Sequence, residues 1–152
     1  VPLTADDLLW GLYTDSMAHV RHYEIQRTAL VGVSVTLGGA VVAVAGWDGR
    51  VTASEWPLGA LLIAVGLFGF LFSAKQYERA TVAAIQAERY RQSLGMRFPD
   101  LGITGLRDAA CADGARKFRI LGRLRIHVFY VLLHLFVAVL GALVLTRALG
   151  WL

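Results

Sequence analysis

The sequence predicts an all-α membrane protein. It has three transmembrane helices, an amphipathic cytoplasmic N-terminal helix, and a cytoplasmic helical stalk and loop between spans two and three. Three observations predict this. The chain is 57% hydrophobic and only 17% charged, far from the average soluble protein. Its apolar residues gather into three runs, 28–46, 57–74 and 126–147, each long enough to cross a hydrocarbon core of about 30 Å. The first two runs carry no charge, whereas a core-facing helix of a soluble protein keeps a charged face.

Segment 4–27 opens with Thr4, a capping residue, and with Asp6 and Asp7, which suit the positive end of a helix dipole. Leu9, Leu12, Tyr13, Val20 and Tyr23 share a face interrupted by Ser16. Asp7, Thr14 and Arg21 lie opposite. No proline follows before Gly46, so this helix is expected to run into the first span. Its apolar stripe needs a cover: the stalk, the same helix of another subunit, or the membrane surface. A charged segment precedes the first run, so that run is not a signal peptide. A chain beginning at Val1 is expected to lack at least an initiating methionine.

The first span holds Gly32, Ser34, Gly38 and Gly39, with small residues four apart at 34/38 and 39/43. Such spacing lets helices approach closely. Trp47 and Trp56 bracket a short linker with an Asp48-Gly49 turn, so spans one and two form a hairpin. In the second span Ala60 and Ala64 repeat the spacing, and Gly66 and Gly69 add a smooth patch.

No breaker separates the second span from the charged stretch after it. One helix over 57–94 would measure roughly 57 Å. Tyr77, Ala80, Ala84 and Ala87 line one side of this stalk, and Glu88 can pair with Arg91. Gly95 is the expected C-cap, with a loop around Pro99-Asp100 and a short helix over 105–113 ended by Gly114.

Segment 75–125 holds eleven Lys/Arg against five Asp/Glu. The positive-inside rule places it and the N-terminus in the cytoplasm, and Leu152 outside. Within it, Arg116, Lys117, Arg119, Arg123 and Arg125 are candidate contacts for anionic lipid or a partner. No aromatic platform accompanies this charge, so nucleic acid is not an expected partner. Cys111 is the sole cysteine, which excludes an intramolecular disulfide.

The third span carries the strongly polar groups at depth. His127, Tyr130 and His134 share a face, and an ionisable residue inside a membrane is a functional hypothesis by default. His134 could hydrogen-bond a neighbouring helix, line a proton or ion path, or ligate haem. Ala138 and Ala142 again permit close packing, and Arg147 and Trp151 mark the outer interface. No phosphate loop, HExxH, paired cysteine or GxSxG occurs. The expectation is a protein without enzymatic activity, metal or cofactor.

The order of parts resembles the RipA family of small octameric bacterial membrane proteins. LYTDSMAHVRHYEIQR precedes a two-span hairpin, AKQYERATVAAIQAERYRQSLG follows it, and RLRIHVFYVLLHLF opens the last span. The entry helix and hairpin are also similar to the SLATT-type effector domains of bacterial defence systems. The first resemblance implies a homo-oligomer of the bacterial inner membrane, a ring of up to eight copies with no established catalytic activity. The second implies a pore-forming effector opened by a cytosolic protein or nucleotide signal. A haem- or quinone-binding anchor subunit and an adaptor recruiting a cytosolic partner are the alternatives.

Overall fold

The computed structural model describes residues 3–46, 51–118 and 126–151. Of these, 93% are helical and none forms a strand. The helices are α1 (Ala5–Gly46), α2 (Trp56–Arg97), α3 (Ile103–Lys117) and α4 (Ile126–Ala148), with 3₁₀ turns at Ala53–Glu55 and Pro99–Leu101. Three of them, α1, α2 and α4, are long and apolar enough to cross a membrane. At 42 residues each, α1 and α2 measure roughly 63 Å, twice what the hydrocarbon core needs.

Local chemistry sets the helix ends. The Thr4 hydroxyl accepts the Asp7 N–H at 3.1 Å, and the Asp7 carboxylate accepts the Thr4 N–H at 2.9 Å. This reciprocal box satisfies two donors that a helix start leaves orphaned. At α2, the Glu55 carboxylate accepts the Thr52 N–H at 2.7 Å, and Pro57 sits in the first turn, where its missing N–H costs nothing.

Two expected stops do not act as stops. Gly95 lies inside α2, which runs on to Arg97; Pro99 ends it by restricting Phe98, whose backbone has left the helical region. Gly114 lies inside α3, which is longer than 105–113. Gly102, at φ 58°, supplies the turn that starts α3 two residues early. Ala115, Arg116 and Lys117 carry it past Gly114, because they are good helix formers and the two cations suit a C-terminal turn.

Contacts divide the chain into two compact units: Val1–Glu24 with Glu78–Arg125, and Ile25–Tyr77 with Ile126–Leu152. The second unit is a three-helix bundle. Its buried positions on α2 are Gly59, Leu62, Gly66, Gly69, Ser73 and Gln76, alternating steps of three and four. That is the seven-residue period of a left-handed helix seam. Against it, α4 buries His134, Val137 and Gly141, and α1 buries Ser34, Gly38 and Val41. Val41, Leu62 and Val137 form the apolar centre.

The first unit packs the opening half of α1 with the closing half of α2 and α3. Here α2 buries Ala80, Ala83, Ala87 and Leu94, again in steps drawn from a seven-residue period. Ala84 and Tyr77, expected on the packed side, are exposed; the period is 3.5 residues and selects Ala83 instead. Ser16, which interrupts the apolar stripe of α1 in sequence, is itself buried, a small residue at a close contact. Arg97 and Asp6 close this unit with an ion pair at 2.6 Å.

Candidate functional site

In the bundle, α2 and α4 run antiparallel at backbone contact. A Cβ on Gly59 would lie 2.7 Å from Leu145 N, and one on Gly66 would lie 2.6 Å from Ala138 N. From the other side, a Cβ on Gly141 would lie 2.7 Å from Ile63 N. Only glycine permits this approach. At Gly69 the notch is filled by the His134 imidazole, whose Cε1 is 2.6 Å from where a Cβ would stand.

His134 is thus wholly buried in its own bundle, and neither ring nitrogen has a hydrogen-bond partner. The expected hydrogen bond to a neighbouring helix is not made. Haem does not fit either, because a porphyrin could reach the ring only by parting α2 from α4. The hydroxyls of Ser34 and Ser73 are likewise buried and unpaired. Between Gly59 and Ser73 these three groups are polar in an otherwise small and apolar seam, which Gln76 closes at one end.

Tyr130 and His127 belong to a different cluster. The Arg27 guanidinium carbon lies 4.4 Å from the centre of the Tyr130 ring and 5.6 Å from that of Tyr77. Tyr77 stacks on His127 with ring centres 4.1 Å apart. The Tyr130 and Thr28 hydroxyls are 3.2 Å apart. Beside them Gln76 donates to Gln26 at 2.7 Å, joining α2 to α1. All these residues stand where the apolar runs begin or end. The expected polar face of α4 is therefore split between this cage and the α2 seam.

The small residues also divide. Ser34, Gly38, Gly66 and Gly69 are buried inside the protomer, and Ala60 and Ala138 are half-buried. Gly38 is 3.8 Å from Val137 by its would-be Cβ. Gly32, Gly39, Ala64 and Ala142 face outward. Gly59, Gly141 and Arg27 went unmarked in the sequence, and Tyr77 was marked only as part of the packed side of the stalk. The signal for the glycines was the seven-residue step from Gly59 to Gly66, rather than the four-residue step from Ala60 to Ala64.

The other unit holds a cavity of about 550 Å³ walled by Tyr13, Met17 and Val20 of α1, Ala84 and Glu88 of α2, and Leu106 of α3, among others. On its wall the Glu88 carboxylate accepts Arg91 Nη2 at 2.6 Å, Arg91 Nε at 3.1 Å and Gln92 at 3.0 Å, and meets Arg107 Nη1 at 2.7 Å. The Arg91 hydrogen bonds, with the charge of both arginines, hold this carboxyl below the usual glutamate range. Arg91 also donates to the Ile103 carbonyl at 3.4 Å, so the same group ties α2 to α3. Arg116 and Lys117 lie exposed in the last turn of α3. Arg119, Arg123 and Arg125 lie outside the described residues.

No family model matches the chain, and no curated protein or solved structure matches it.

Proposed function

We propose that the chain is the protomer of a non-enzymatic, homo-oligomeric protein of the bacterial inner membrane, with its copies meeting along the outward stripe of α1. That stripe carries the reading. Ala29, Gly32, Thr36, Gly39 and Ala43 recur at steps of three and four residues, and all are exposed. Nothing lies within 4 Å of a Cβ placed on Gly32 or Gly39. A glycine facing lipid costs a helix about 1 kcal/mol relative to alanine and returns no packing. Against a second copy the same glycines give close approach. Val33, Val35, Val42 and Val44 flank the stripe with exposed apolar surface, which suits either lipid or another span.

The N-terminus is cytoplasmic and Leu152 external, on the basic surplus of 75–125. The unit built from α3 and the charged halves of α1 and α2 forms a cytoplasmic collar. Its cavity is where a cytosolic protein or small signal would engage. A ring of the RipA-like kind, up to an octamer, acting as a channel or a stress effector, is the assembly this arrangement serves.

The test is the mass of the complex in native nanodiscs. A discrete multiple of the chain mass is expected. Gly32→Leu with Gly39→Leu should convert it to single chains, while Gly11→Leu, on the charged half of the same helix and also in open space, should leave it assembled. A wild-type mass of one chain would reject the proposal.

A further inference from the structure

Arg27 is more than nine-tenths buried, yet its Nε and Nη2 have no hydrogen-bond partner. Those two N–H groups form the side-on fork by which a guanidinium grips a planar or tetrahedral oxyanion with two bonds. The two tyrosine rings stack against the guanidinium and leave its edge for such a bond. A buried charge needs a counter-charge. No carboxylate among the described residues bonds Arg27 Nε or Nη2: Glu24 and Glu78, the nearest in sequence to Arg27 and Tyr77, leave both N–H groups unpaired.

We infer that Arg27, caged by Tyr77 and Tyr130, is a binding site for a phosphate oxyanion, and that an anionic phospholipid headgroup supplies it. Position argues for the lipid. Arg27 is the last charge before the first apolar run, Tyr77 follows the second, and Tyr130 opens the third, so the cage stands at headgroup level. Tyr77, the more distant ring and 40% exposed, stacks on His127, and Tyr130 is anchored at Thr28, so both walls of the cage are held.

The experiment uses the full chain in nanodiscs of phosphatidylcholine alone or with phosphatidylglycerol. Native mass spectrometry counts the lipids retained after the disc is stripped. ¹⁵N spectra of arginine-labelled protein follow the Nε–H of Arg27, assigned by its loss in Arg27→Lys. The expected result is at least one retained phosphatidylglycerol per chain and a downfield Nε–H shift on adding that lipid. Arg27→Gln should lower retention at least tenfold, and Arg21→Gln, exposed on the same helix, should not. If inorganic phosphate shifts Nε–H in phosphatidylcholine discs as far as the lipid does, the oxyanion site stands and the lipid source is overturned. An Nε–H that responds to neither probe overturns the whole inference, including the case where another copy's carboxylate fills the fork. Should the Arg27 variants not fold, nuclear Overhauser contacts to the Tyr130 ring assign the Nε–H in the wild type, and those spectra still decide.

Discussion

Alanine at position 66 and alanine at position 39 should act in opposite directions. At Gly66 the new Cβ would lie 2.6 Å from Ala138 N and 2.7 Å from both Ala138 Cβ and the His134 carbonyl oxygen. Ordinary contact begins near 3.4 Å, so α2 and α4 must part by about 1 Å. Two of the three obstacles are backbone, which cannot turn aside as a side chain does. Forced overpacking costs about 1–3 kcal/mol, and a gap of that width forfeits a quarter to a half of the local dispersion energy. The gain in helix propensity, about 1 kcal/mol, offsets only part of this. A net loss of about 2 kcal/mol is expected at Gly66. At Gly39 nothing lies within 4 Å, so only the propensity gain remains. Pulse proteolysis across a series of SDS mole fractions, in micelles dilute enough to hold single chains, measures both. Equal midpoint shifts for the two variants, or a neutral Gly66→Ala, would refute the backbone-contact account of the α2–α4 seam.

Two further outcomes are expected in the unit built from α3 and the charged halves of α1 and α2. The Glu88 carboxyl titrates below its unfolded value, so its stabilisation is complete above the ordinary glutamate range and fades as pH falls through that range and beyond; hydrogen exchange of α3 amides should quicken on acidification in the wild type, and Glu88→Gln should show the faster rate already at neutral pH. Removing the cap with Thr4→Ala should cost about 1 kcal/mol, confined to the first turn of α1 and read as faster exchange there, with the midpoint of global unfolding unmoved.

Much of the architecture was legible because membrane spans announce themselves by length and by lack of charge. Runs 28–46, 57–74 and 126–147 each lie within one long helix, α1, α2 and α4 in turn. Pairing was less legible. A helix rich in glycine and alanine has small residues on every side, so four-residue spacing marks Ala60/Ala64 as readily as the working set Gly59/Gly66/Gly69. The tie between them is broken only by the period of the whole helix: the buried set repeats every seven residues from Gly59 through Ser73, and from Ala80 to Ala87. The split of the histidine face was not legible either. His127 and His134 are two turns apart on one helix, but one meets a tyrosine and the other a glycine, and that difference lies in α2. Arg27 offered no signal at all in one dimension, since an arginine before a span is ordinary topology.

The fit of His134 into the notch at Gly69 also bears on how the chain is made. Translation completes α1 and α2 before α4, so the first two can settle as a hairpin. The last span must then find its alignment along a groove of small residues that looks much the same at every turn. An imidazole fits opposite Gly69; one turn along α2 it would meet the side chain of Ser73, and two turns the other way that of Leu62, both already filling their places in the seam. The histidine sets the alignment of α4 on α2 as a tooth sets a ratchet. Synthesis order and final alignment are thereby linked through one side chain, and a shorter residue there would leave the last helix free to stop at more than one place.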